Sequence, residues 1–135
     1  MDKLTPERRA ANMRNIKSKG MKPEMVVRRL VHRLGYRYRL HRKGLPGKPD
    51  LAFIGKRKAI YVHGCFWHQH HACREGRVPS SNVDYWGPKL ARNVQRDLAH
   101  HQALEELGWK SLVIWECETL DQQRLEHVVR GFLSD

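Results

Sequence analysis

Twelve consecutive residues, Val62-His63-Gly64-Cys65-Phe66-Trp67-His68-Gln69-His70-His71-Ala72-Cys73, constrain the fold of this chain more than any other stretch. They hold two thiols, four imidazoles and two adjacent large aromatic rings. No ordinary core or surface needs that combination, so the segment reads as an irregular loop with too few apolar residues to hold itself. Thiolate and imidazole are the ligand pair that zinc prefers. Imidazole also moves protons near neutral pH, and exposed rings can enter a base stack. Metal binding, proton transfer and nucleic-acid contact are therefore expected to meet here.

The rest of the chain sets the setting for that loop. With 135 residues it is long enough for one real core and short for two, which predicts a single domain over 1–135. Its 26 Lys and Arg against 14 Asp and Glu give a formal charge of +12, which favours a polyanionic partner, nucleic acid first. An anionic membrane surface is the weaker option, because no separate basic amphipathic helix with a Trp, Phe and Leu face stands out. There is no run of eighteen apolar residues and no signal-peptide pattern, so a cytoplasmic, membrane-free protein is expected. Three cysteines in such a chain argue for metal ligation or thiols over a disulfide framework.

Helix and strand signals follow one another along the sequence. Thr5-Pro6-Glu7 reads as a cap, a first-turn proline and an acid, opening a short basic helix to Ile16 within an N-terminal arm of residues 1–19. Pro23 opens a second helix whose Val26, Val27, Leu30, Val31 and Leu34 keep helical spacing until Gly35. Tyr36, Tyr38 and Leu40 alternate with arginines as in a half-buried strand. The turn-rich Gly44–Pro49 segment leads into Asp50, and two apolar runs, Leu51–Ile54 and Ala59–Val62, predict a hairpin with Asp50 at its start and His63 at its end. A long helix is expected from Pro88 to Leu107, with Leu90, Val94, Leu98, Leu104 and Leu107 on one side. Trp109 to Trp115 reads as a buried strand, Cys117 lies two residues beyond it, and Asp121 is expected to cap a final helix to about Leu133. This order predicts an α/β fold, a mixed sheet covered by helices on both faces.

Cys65, His70 and Cys73, with Cys117 arriving from a distant strand end, make a candidate four-ligand zinc site. Four protein ligands leave no open position, so such a site would be structural. His71 rivals His70, and spacing alone does not decide between them.

Pro49-Asp50 before an apolar hairpin resembles the start of the restriction-endonuclease-like nuclease signature, in which a strand-borne carboxylate holds magnesium. The acid and lysine that usually complete it are replaced here by Val62 and His63. A more specific match comes from the ensemble: Leu45-Pro46-Gly47-Lys48-Pro49-Asp50, His63-Gly64-Cys65-Phe66-Trp67-His68, Asn93-Val94 with Arg96-Asp97, and Leu107-Gly108-Trp109 with Val113-Ile114-Trp115-Glu116-Cys117. Together they resemble the very short patch repair (Vsr) endonucleases from Asn12 to Cys117. The resemblance implies a three-layer restriction-endonuclease-like fold with a structural zinc site. It implies an enzyme that nicks one strand of double-stranded DNA beside a T:G mismatch, the lesion left when 5-methylcytosine deaminates. It further implies catalytic Asp50, His63, His68, Asp97 and Glu24, with magnesium held by Asp50 and the main-chain carbonyl of Val62. His68 is the better candidate for the base that activates water, with Asp97 orienting a catalytic histidine. Phe66, Trp67 and Trp86 match an aromatic wedge driven into the duplex, Lys89 and Asn93 match mismatch contacts, and Met13 matches a residue of the N-terminal arm. A monomer, with mismatch-repair proteins as possible partners, completes the expectation.

Three departures stand out. Val62 replaces a common threonine, Ala72 reads as an added residue before the second cysteine, and Pro88 at the long helix start is expected to shift Trp86. The competing classes are a zinc-stabilised DNA-binding module without catalysis, a zinc hydrolase using His63 and His68 with a cysteine, and a related nicking or restriction nuclease with another DNA target.

Overall fold

A computed structural model describes residues 22–70, 79 and 81–134. The expected arm and helix at 1–19, with Met13, lie outside the described residues, as do His71 and Cys73. Helix α1, Pro23–Arg33, begins with proline in its first turn and buries Val26, Val27, Leu30 and Val31. Strands β1 (Arg39–Leu40), β2 (Leu51–Phe53) and β3 (Lys58–His63) follow, then α2 (Val83–Glu106), β4 (Lys110–Trp115) and α3 (Gln122–Leu133). The Asp121 carboxylate accepts the Arg124 N–H at 3.2 Å and caps α3.

The sheet has the order β1-β2-β3-β4. β1 and β2, and β2 and β3, pair antiparallel, whereas β3 and β4 run parallel. A parallel neighbour requires a crossover, and α2 lies in that connection. One face of the sheet presents Leu51, Phe53, Ile60 and Ile114 to the apolar stripes of α1 and α3, including Leu125, Val129 and Leu133. The other face presents Ala59 and Tyr61 to Leu104 of α2, with Leu45, Trp109 and Val113 packed alongside. Helices cover both faces of β3, so every residue from Lys58 to Tyr61 is buried, and beyond Lys58, whose ammonium donates to the Phe132 carbonyl at 2.6 Å, the run is apolar without strict alternation.

Several expectations are corrected. The strand expected over 36–40 pairs only at Arg39–Leu40, while Tyr36 and Tyr38 pack half-buried against the core from outside the ladder. β2 stops at Phe53, and Ile54 enters a short 3-10 turn with Arg57 at φ 54° before β3 begins. The long helix starts at Val83, not near Pro88. Asn82 takes a left-handed conformation with φ 55°, and its carbonyl accepts the N–H groups of Tyr85 and Trp86 at 3.0 Å each. Pro88 removes one backbone donor in the second turn and leaves the first intact. Leu98 and Leu107 are exposed at 63% and 54%, so the inward stripe does not include them. Leu90 and Leu104 anchor that stripe at its ends, and between them, at the same helical spacing, stand Asn93, Asp97 and His101. The polar middle of the stripe faces the loop that carries the histidines.

Candidate active site

The antiparallel register Leu51↔Ile60 continues to set Asp50 opposite Tyr61, at the mouth of the β2–β3 hairpin. The Val62 N–H donates to Asp50 Oδ2 at 2.7 Å, which holds the carboxylate against the main chain one residue before His63. Burial pushes the Asp50 carboxyl above the usual range; the Val62 N–H opposes this and the nearby Glu24 carboxylate adds to it. A negative charge is therefore costly there, and a cation would relieve it. Glu24 comes from the first turn of α1 and reaches the same end of the sheet. Its Oε2 lies 3.5 Å from Arg28 and 3.3 Å from His41 Nε2, while His41 Nδ1 lies 4.0 Å from Asp50 Oδ1. One ligand atom each from Glu24, His41 and Asp50 falls within 4.8 Å of the others, a donor set able to hold a divalent ion.

β3 ends on His63, which is buried, and the chain then turns back through Gly64. The N–H groups of His68 and His70 donate to the carbonyls of Gly64 and Cys65 at 3.1 and 3.0 Å, folding the loop over the strand end. His68 consequently stacks on His63 with ring centroids 3.8 Å apart. Asp97 reaches down from α2 to His68 Nδ1 at 2.5 Å. With Nδ1–H given to the carboxylate, the free lone pair of His68 is on Nε2. Burial, with the neighbouring His68 adding to it, pushes His63 down to about 4, so His63 is a neutral imidazole at pH 7. Beneath the pair, the Tyr61 hydroxyl donates to the Pro46 carbonyl at 2.7 Å, and burial pushes that phenol up to about 12.

The same turn gathers the sulfur ligands. His70 Nδ1 lies 3.8 Å from Cys65 Sγ and 3.5 Å from Cys117 Sγ, with Cys117 supplied by the 3-10 turn after β4. The His70 ring stacks on Trp115 at 4.3 Å, which fixes its plane. One nitrogen and two sulfurs within 4.8 Å form a donor set suited to a borderline-soft cation. Cys73 lies outside the described residues.

Phe66, Trp67 and Trp86 form one cluster, with centroids 5.1, 5.4 and 5.8 Å apart. Trp67 is 47% exposed, a large ring left in solvent beside the histidines. Asn93 donates to the Trp67 carbonyl at 3.3 Å. The Lys89 ammonium sits over Trp67, Tyr85 and Trp86 at 5.4–5.8 Å, within cation–π range.

Residues 1–74 match the family model described as DNA mismatch endonuclease Vsr. The type II nicking enzyme V.XorIIP of Xanthomonas oryzae pv. oryzae is 48% identical over 133 residues, covering 98% of this chain and 97% of that protein. The chain belongs to the Vsr endonuclease family. Two other relatives agree. The DNA mismatch endonuclease Vsr of Escherichia coli K12 is 37% identical, covering 92% of this chain and 77% of that one. The type II nicking enzyme V.NmeAIP of Neisseria meningitidis serogroup A is 38% identical, covering 96% and 94%. Among solved structures, the catalytic domain of the homing endonuclease I-Bth0305I superposes with a TM-score of 0.54 at 20% identity, covering 85% of this chain and 96% of that domain. That likeness concerns the fold, an α/β nuclease architecture.

For this Vsr family member, the sequence patterns pointed to most of the residues that the fold brings together, and missed three. His41 stands between Glu24 and Asp50. His101 stacks on His63 at 5.5 Å and on Tyr61 at 4.5 Å, with its Nε2 buried and without a hydrogen-bond partner among the described residues. Tyr85 lies 5.0 Å from Trp86 and receives Lys89. None carries a motif; His41 would have been visible only through its pairing with Asp50, and His101 only through its place on the α2 stripe.

Proposed function

We infer that this protein nicks one strand of duplex DNA beside a T:G mismatch by hydrolysing a phosphodiester bond, and so begins the repair of deaminated 5-methylcytosine in the cytoplasm. The observation that carries the reading is the Asp97–His68–His63 stack on the end of the strand whose Val62 N–H anchors Asp50. A base, its orienting acid and a neutral imidazole thereby stand at the end of the strand whose Val62 N–H holds a carboxylate that a cation would relieve.

His68 acts as the general base. Asp97 accepts a hydrogen bond from its Nδ1–H, so Nε2 is left to accept a proton from the attacking water. The water oxygen bonds to phosphorus while the bond to the leaving oxygen breaks. His63, kept neutral, donates an N–H to the phosphate or to the leaving oxygen, and its neutrality lets His68 gain charge without a second imidazolium stacked on it. Asp50 and the Val62 main-chain carbonyl would hold magnesium, with Glu24 beside its water; the two carboxylates fit a hard cation. When bound, magnesium polarises the phosphate and stabilises the charge that develops on it. Cys65, His70, Cys73 and Cys117 would hold zinc, a closed structural site whose N and S donors suit that metal.

Selectivity follows from the aromatic cluster. Phe66, Trp67 and Trp86 enter the duplex next to the mismatch, where unstacking costs a few kcal/mol and a weakly paired step opens more cheaply than a sound one. Lys89 and Asn93 border the same cluster and contact the mismatch, and Met13 of the arm adds to the grip. The protein works as a monomer, and mismatch-repair proteins are its candidate partners.

The test is a strand-resolved cleavage assay in magnesium on duplexes that differ only in T:G, T:A or C:G at one position. A single cut confined to the T:G duplex is the expected result, with Asp50→Ala retaining DNA binding and losing the cut. Wild type that binds DNA yet never nicks would leave a zinc-stabilised binding module; equal cutting of T:A would point to another DNA target.

A further inference from the structure

His41 lies one place beyond β1, and its N–H donates to the Asp50 carbonyl at 3.3 Å, extending the pairing past Leu40↔Leu51. Its φ of 43° is in the left-handed region, which is strained for a residue with a Cβ. The pairing register thus places His41 directly across from Asp50. Its ring presents Nε2 to Glu24 Oε2 at 3.3 Å and Nδ1 to Asp50 Oδ1 at 4.0 Å. The side chain is 53% exposed, so an ion can reach it from solvent.

We propose that His41 is a nitrogen ligand of the divalent-cation site at Asp50, with Glu24 beside it, so that the site accepts Mg2+ and binds Mn2+ more tightly. The inference rests on the reading of Asp50 as a cation-holding carboxylate. Donors about 2.1 Å from one octahedral ion stand roughly 3 Å apart in cis and roughly 4.2 Å in trans. The three ligand atoms, all within 4.8 Å, need only a small contraction to match. Mg2+ demands oxygen donors in near-ideal geometry and gives up water reluctantly, whereas a first-row transition ion accepts imidazole nitrogen. The rival account of the same distances is an imidazolium clasped between two carboxylates, which would compete with any metal.

Electron paramagnetic resonance of Mn2+ titrated into the zinc-replete full chain separates the two. Wild type should show imidazole 14N modulation on the bound ion, and His41→Gln should lose it. The variant's Mn2+ dissociation constant should rise on the order of tenfold, with Mg2+ affinity, measured by competition, changed less than about twofold. Absent 14N modulation, modulation that survives in His41→Gln, or equal losses for both ions overturns the proposal. So does a gain in affinity for both, the mark of a competing imidazolium. Asp50→Asn tells the two levels apart: if it binds Mn2+ like wild type, the Asp50 reading fails, whereas Mn2+ lost in Asp50→Asn but unchanged in His41→Gln removes only His41.

Discussion

At the residue scale, the imidazoles are differentiated by what surrounds each ring. His68 has a carboxylate on Nδ1, His63 is buried under it, and His70 faces two sulfurs. Asp97→Asn keeps the size of the side chain but removes the charge and can present the wrong hydrogen to Nδ1. We expect single-turnover nicking to fall by about 10²-fold or more with DNA affinity little changed, a split that rate and binding measurements on one duplex would read. His63 yields a pH prediction with a defined sign. Its folded value of about 4 lies below the ordinary 6.5, so the unfolded chain binds the extra proton between them. The contribution to stability is complete above about 6.5 and is lost as pH falls toward about 4. Urea unfolding at pH 7.5 and 5.5 should show a smaller loss for His63→Gln than for wild type.

At the element scale, α2 has two functions. Leu90 and Leu104, both almost fully buried, fix it to the sheet, and the turns between them carry Asn93, Asp97 and His101 to the loop. The Leu45–Pro49 loop is its other contact. Gly47 takes φ 72°, and a Cβ there would come 2.9 Å from the His100 Cβ. Gly47→Ala combines left-handed strain with a clash between two rigidly placed atoms. It should lower stability by about 2 kcal/mol, measured by urea unfolding, and slow nicking by moving Asp50 relative to Asp97. The hairpin was legible because its apolar runs and turn residues are local. The true start of α2 was not, because a left-handed Asn82 and the tolerated Pro88 are decided by what the helix packs on.

On the scale of the whole molecule, the charge of +12 and the Cys/His cluster set the response to solvent and metal. If roughly six phosphates are neutralised, log Kd against log salt should have a slope near 5 on a duplex; a flat response would count against DNA as the partner. Cys117 joins the turn after β4 to the loop after β3, so Cys117→Ser should lower thermal stability and zinc content together. Unchanged zinc stoichiometry by elemental analysis would remove Cys117 from the ligands. No helix among the described residues is long and apolar enough to cross a membrane.

The chemistry was written in local spacing: a six-residue His-Gly-Cys-Phe-Trp-His block, a Pro-Asp before a hairpin and a basic excess are properties of the chain itself, and they sufficed for the family and the donor types. Which groups meet was decided by the fold. The parallel β3–β4 pair sets Cys117 beside His70, the α2 stripe delivers Asp97 to His68, and the β1–β2 register sets His41 opposite Asp50. Each of those meetings joins residues far apart in sequence or depends on pairing register, and no periodicity within a segment encodes a distance between segments.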